Sequence, residues 1–185
     1  MSSIQLKIAK ILLEIGCVKF NPSHPFTYAS GLKGPIYCDN RLLLSYPKQR
    51  ELVVSAFLEL IKDKGIKFDS LAGIATAGIP HAAFLAQSLS LPMQYIRSKA
   101  KEHGRRNQVE GDFKPGQKAL LVEDLINQGS SLREAVLGAR ESGLVVTDCL
   151  CIVDYQMETS KLVANELGLE LHALTNFESL MQAAL

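Results

Sequence analysis

The chain has 185 residues, of which 47% are apolar and 21% charged, with a formal net charge of +1. This is enough for one globular domain with a sizeable core, and the near-neutral balance excludes a global attraction to nucleic acid or membrane, so any electrostatic function is local. No apolar stretch reaches the roughly 18–20 residues of a membrane span, and the polar start MSSIQLK lacks the apolar segment of a signal peptide.

Ile4, Ile8, Ile11, Leu12 and Ile15 recur at helical spacing up to Gly16, which predicts an amphipathic N-terminal helix. Residues Phe20–Arg41 carry many Pro, Gly and Ser residues and no period of their own; a connection of that length is usually functional. From Pro47 a helix is expected, with Leu52, Val53, Ala56, Phe57, Leu60 and Ile61 on one face and Gly65 at its end. Phe68–Ile74 is a predicted strand, followed by the small-residue turn Ala75–Ile79 and a helix from Pro80. Pro92–Ile96 is another strand, with Met93 and Tyr95 as packing residues, and it leads into the basic run RSKAKEHGRRNQVEG.

The most informative stretch is KALLVEDLINQGSS, Lys118–Ser131. The apolar run Ala119–Val122 suits a strand buried on both faces, and it ends in two adjacent acids, Glu123 and Asp124. The small, hydroxyl-rich turn Asn127–Ser131 opens a helix over Ser131–Ser142, where free backbone N–H groups favour an anion. Acids beside a phosphate cradle suit a ligand that also presents hydroxyls or carries a metal. A phosphorylated sugar meets these conditions.

The remainder predicts a strand at Val145–Val153, a helix over 157–167, a strand at Leu169–Leu174 and a last helix at Phe177–Leu185. Cys149 and Cys151 lie in an apolar run as small hydrophobes, and Cys17 and Cys38 add no metal-ligand spacing. Free thiols predict a reducing, cytoplasmic compartment. His24, His81 and His172 have no partner pattern and are expected to be structural or exposed. Strands alternating with helices predict an α/β fold, a mostly parallel twisted sheet flanked by helices in one domain spanning 1–185. In such sheets ligands bind beyond the carboxyl ends of the strands, where the turn after Ile74, the basic run after Ile96 and the turn after Val122 converge.

Arg97, Lys99, Lys101, His103, Arg105 and Arg106 crowd the basic run. A solvated surface loop is one reading of it. A nucleic-acid patch would want aromatic platforms, which it lacks. A cationic lid over a polyanion is the third. Beside the acid pair, this run resembles the catalytic loop of a type I phosphoribosyltransferase, and VEDLINQGSS resembles that family's phosphoribosyl-pyrophosphate motif. Three segments narrow the resemblance to orotate phosphoribosyltransferases: FTYASGLKGPIYCDNRLLLSYP resembles their N-terminal hood, and YIRSKAKEHG their catalytic loop. GIATAGIPHAAFLA resembles their second loop, in the variant without a lysine three residues after the strand.

The resemblance implies a helix and hood over about 1–45, a core sheet over about 46–175 and a mobile catalytic loop at 97–109. It implies Mg²⁺-dependent transfer of ribose 5-phosphate from phosphoribosyl pyrophosphate to orotate, giving orotidine 5′-phosphate and pyrophosphate in pyrimidine biosynthesis. It also implies a homodimer with shared active sites and no nucleic-acid or membrane partner. Within it, Glu123 and Asp124 hold the ribose hydroxyls, and Leu125, Ile126, Asn127, Gln128, Gly129, Ser130 and Ser131 form the phosphate turn. Ala77 and Gly78 meet pyrophosphate and its largely ligand-borne Mg²⁺. Arg97, Lys101 and His103 neutralise the leaving group, and the backbone of Tyr37 and Cys38 faces the pyrimidine. Asn127 stands where relatives have Ser or Thr, and Gln128 where they have Thr or Ala. Ala29 and Tyr155 stand where some have a lysine and an arginine for the orotate carboxylate, which leaves Arg41 or Lys33 as its cation. A purine phosphoribosyltransferase and a non-catalytic sensor of phosphoribosyl pyrophosphate are the alternatives.

Overall fold

The computed structural model describes residues 3–27, 31, 33–98 and 108–185. Helix α1 (Ser3–Glu14) is followed by four short strands, β1 (Val18–Phe20), β2 (Phe26–Thr27), β3 (Lys33–Gly34) and β4 (Ile36–Cys38). β1 pairs antiparallel with β4, with Val18 opposite Cys38, and β2 pairs antiparallel with β3. The segment expected to be irregular is thus two small ribbons, whose two- and three-residue strands are too short to show a period. A 3₁₀ turn, Asn40–Ser45, leads into α2 (Pro47–Lys64), which has Pro at its first position and ends on left-handed Gly65 (φ 63°).

The sheet strands then alternate with helices: β5 (Ser70–Ile74), α3 (Gly78–Leu89), β6 (Met93–Ile96), β7 (Val109–Glu110), β8 (Ala119–Ile126), α4 (Ser130–Glu141), β9 (Asp148–Asp154), α5 (Glu158–Leu167), β10 (Glu170–Asn176) and α6 (Phe177–Ala184). Six of them form one sheet in the order β10–β9–β8–β5–β6–β7, parallel except for the β6–β7 pair. Side chains on the central strands alternate between two cores. Leu120, Val122, Leu150 and Ile152 face a core shared with α1, α2, α3 and α6. Leu121, Cys149 and Cys151 face a second core with Leu132, Val136 and Ala139 of α4. Both faces are covered, as a largely parallel sheet requires, and all four cysteines are free thiols.

Several boundaries differ from the sequence reading. β8 does not stop at Val122: Leu125 pairs with Val153 and Ile126 with Asp154, so the acid pair lies within the strand. β9 begins at Asp148, because Val145 makes only a single bridge, to Lys118, and is exposed. β7 adds an antiparallel edge inside the run read as an uninterrupted loop. Tyr95 and Leu52 are exposed rather than packed. Leu52 precedes the Val53–Ala56–Phe57–Leu60 stripe and falls on its flank. Residues 99–107, with Lys101 and His103, lie outside the described residues.

Candidate active site

The acid pair is built by burial. Ala119–Val122 are almost wholly excluded from solvent, and Glu123, one residue further, is only 7% exposed. Its Oε1 accepts the Asp124 N–H at 2.9 Å. Burial first, and then the Asp124 carboxylate beside it, push the Glu123 carboxyl up to about 9. At neutral pH Glu123 is therefore a protonated carboxyl, able both to donate and to accept hydrogen bonds. Alternation along the strand sets Glu123 in phase with Leu121, toward α4, and Asp124 in phase with Val122, toward α3 and the hood.

The hood is fastened to this strand by a residue that the sequence reading passed over. Asn40 is fully buried; its Nδ2 donates to the Asp124 carbonyl at 2.8 Å, and its Oδ1 accepts the Cys38 thiol at 3.3 Å. One side chain thus joins the strand facing the cleft to the peptide of the acid pair. Burial, and then the neighbouring Asp124, push the Cys38 thiol well above its ordinary range, so it is a neutral wall rather than a nucleophile. Next to it, Asp39 accepts Nε and Nη2 of Arg41 at 2.6 and 2.8 Å, as well as the Arg41 N–H. Hydrogen bonding from Arg41 holds the Asp39 carboxyl below its ordinary value. The guanidinium is oriented by a two-point contact and keeps donors for a further acceptor.

On the other side the turn after β5 lies flush against β8. A Cβ on Gly78 would sit 2.2 Å from the Val122 carbonyl oxygen, and one on Gly73 would sit 2.6 Å from the Ile79 Cα. Both glycines are required by close approach of backbone. Ala75 N–H donates to the Ile96 carbonyl at 2.8 Å, tying this turn to β6, and the Ala75–Thr76 peptide is cis. Just beyond, in α3, His81 is 2% exposed, and its Nδ1 has no hydrogen-bond partner among the described residues. Burial lowers its pKa, against the opposing pull of Asp124, so it is a neutral imidazole.

Beyond β8 the chain bends through Asn127 and Gln128 to Gly129, which adopts φ 86° and packs against Ser160 of α5. With glycine at the N-cap, α4 starts without a side-chain cap. The amides of its first turn are left to an incoming acceptor.

These elements enclose a cleft of about 360 Å³ lined by Cys38, Asp39, Arg41, Ala75, Thr76, Ala77, Glu123, Asp124, Leu125 and Ser131. Of the residues singled out in the sequence, Cys38, Arg41, Ala77, Glu123, Asp124, Leu125 and Ser131 come together here. Asn127, Gln128, Gly129 and Ser130 follow directly after the same strand, and Gln128 is exposed. Gly78 is buried beneath the cleft. Ile126 is a core residue whose carbonyl accepts the Tyr155 N–H. Tyr37 is 40% exposed and packs on Phe26, with ring centroids 5.7 Å apart. Arg97 stands at the end of β6, 3.6 Å from Glu110. Asp39 and Asn40 are additions; their only sequence signal is their place in the polar cluster CDNR after a strand-like IYC, whereas Ala75 and Thr76 belong to the 75–78 turn already singled out.

A family model described as phosphoribosyl transferase domain matches residues 43–165. An orotate phosphoribosyltransferase of Coxiella burnetii is 49% identical over 178 residues, 96% of this chain and 85% of that protein. One from Listeria monocytogenes is 47% identical over 183 residues, 99% of this chain and 88% of the relative. Among solved structures, orotate phosphoribosyltransferase from Aeropyrum pernix superposes with a TM-score of 0.84 at 29% identity, covering 96% of this chain and 97% of that one.

Proposed function

The chain belongs to the orotate phosphoribosyltransferases of the phosphoribosyl transferase domain family, and on that premise we propose how its cleft works. The reaction is transfer of ribose 5-phosphate from phosphoribosyl pyrophosphate to N1 of orotate: the C1′–O bond to pyrophosphate breaks and a C1′–N1 bond forms. Positive charge develops on the ribose ring and negative charge on the departing pyrophosphate.

One observation supports this assignment above the others: a single strand, β8, presents the acid pair and leads through the short bend 127–129 into a helix N-terminus without a side-chain cap. Asp124 and the protonated Glu123 take the ribose hydroxyls, and their carboxyl oxygens favour a cationic sugar. Residues 127–131 take the 5-phosphate on backbone N–H groups. The 75–78 turn faces pyrophosphate with Arg97, Lys101 and His103. Preorganised donors there stabilise the charge that appears on bond cleavage, and His103 is suited to protonate the leaving group.

The oxygen-lined cleft fits Mg²⁺, which prefers oxygen ligands and arrives largely coordinated by substrate phosphates. Asp124 and the 75–78 backbone would be the groups of this chain to hold it, and the ion would add charge neutralisation at pyrophosphate. The pyrimidine lies against the Tyr37–Cys38 backbone, with its carboxylate on Arg41 as positioned by Asp39. The protein is proposed to be cytoplasmic and to act as a homodimer. Exposed Tyr37, Leu42, Tyr46 and Leu52, all from the hood and the start of α2, support the dimer.

The test is spectroscopic: protein, Mg²⁺, phosphoribosyl pyrophosphate and orotate are mixed and the loss of orotate absorbance is followed, with adenine and hypoxanthine as competing acceptors. Orotate consumption alone is expected. Turnover of a purine, or no turnover despite calorimetric binding of phosphoribosyl pyrophosphate, overturns the assignment.

A further inference from the structure

Arg97 and Gln108 flank the basic run, and Gln108 holds the Arg97 main chain twice. The Arg97 N–H donates to the Gln108 carbonyl at 2.9 Å, and the Gln108 side-chain Nε2 donates to the Arg97 carbonyl at 2.9 Å. Both peptide groups of Arg97 are thus held by one residue. The Gln108 side chain in turn lies on Gly138: a Cβ at position 138 would fall 2.1 Å from Gln108 Oε1, 2.6 Å from its Cδ and 3.2 Å from its Cβ. Gly138 is a buried interior residue of α4. Glycine there weakens a helix relative to alanine, so its presence calls for a local reason, and the space occupied by Gln108 supplies one.

α4 is also the helix whose first turn forms the phosphate cradle. We propose that Gln108, seated on Gly138, is a positioning residue that sets Arg97 relative to α4, and so fixes the distance between the pyrophosphate-binding and 5-phosphate-binding ends of the cleft. This deepens the reading above and rests on its assignment of Arg97 to pyrophosphate.

The test compares wild type with Gly138→Ala, Gln108→Ala and the double variant, by steady-state kinetics and by calorimetry with Mg²⁺-pyrophosphate and with ribose 5-phosphate. Each single variant is expected to lower kcat and to weaken pyrophosphate on the order of tenfold. Ribose 5-phosphate affinity should stay within about twofold, since the α4 turn itself is untouched. The double variant should be no worse than Gln108→Ala, because the amide that the new methyl displaces is already gone. Should Gly138→Ala fail to fold, Gln108→Ala alone must still show the selective loss of pyrophosphate. Equal weakening of both ligands, full additivity, or a lowered Tm with unchanged kcat and pyrophosphate affinity overturns the proposal. Failure of the orotate assignment is separately visible, as absence of orotate turnover in wild type.

Discussion

Glu123 shows how one buried side chain sets both chemistry and stability. In the folded protein it keeps its proton up to about 9, against an ordinary value of 4.5. Between those values the unfolded chain has released a proton that the folded chain retains. This contribution is therefore complete below pH 4.5 and is lost as pH climbs toward 9. The slope from this one group is up to about 1.4 kcal/mol per pH unit. Glu123→Gln keeps the shape and the oxygen that accepts the Asp124 N–H, but has no proton to lose. Urea unfolding across neutral pH is expected to show the variant gaining on wild type by up to about 1.4 kcal/mol per pH unit. Parallel pH curves for the two proteins would show that Glu123 is already ionised at neutrality. Asn40 and Gln108 belong to the same scale. Each is a neutral amide spending its donor on a main-chain carbonyl, Asp124 for one and Arg97 for the other, and neither announces that role in its local sequence.

At the scale of elements, the site depends on two strand–turn–helix units pressed together without side chains between them. Gly78 begins α3 directly against the Val122 carbonyl, and because the obstacle is backbone, a methyl group cannot be absorbed by a rotamer change. Gly78→Ala is expected to destabilise the protein by about 1–3 kcal/mol. By moving the 75–78 turn off β8, it should also lower kcat/KM by more than about tenfold. A urea midpoint and kcat/KM both equal to wild type would mean that the two units separate freely. The close approach explains why the elements themselves were legible and their contacts were not. Apolar runs preceded or followed by Gly or Pro mark β5, β6, α2 and α3 locally. The continuation of β8 through Glu123–Ile126 has no apolar pattern and is set by pairing with β9, some 28 residues later. The hood ribbons and β7 are too short for periodicity. Gly138, inside the helical pattern SSLREAVLGARES, was a visible irregularity, but its partner at 108 is known only once the chain is folded.

For the whole molecule the sheet order places β8 centrally, between β9 and β5, with the hood over its carboxyl end and the exposed Tyr37–Leu52 surface beside it. An apolar surface adjoining an active cleft is suited to a two-fold interface, in which each subunit presents the same patch. If the 97–109 loop of one subunit serves the cleft of its partner, defects in the loop and in the acid pair should complement. Lys101→Ala and Asp124→Ala are each expected to be nearly inactive as homodimers. In a heterodimer of the two, one site inherits both defects and the other inherits neither. Random reassortment of equal amounts makes half the dimers mixed, so the mixture should recover roughly a quarter of the wild-type rate. That recovery should grow with the time allowed for subunit exchange. A mixture that remains as inactive as its components, with heterodimers verified by native mass spectrometry, would mean that each cleft is completed by its own chain; the apolar patch would then serve association without serving catalysis.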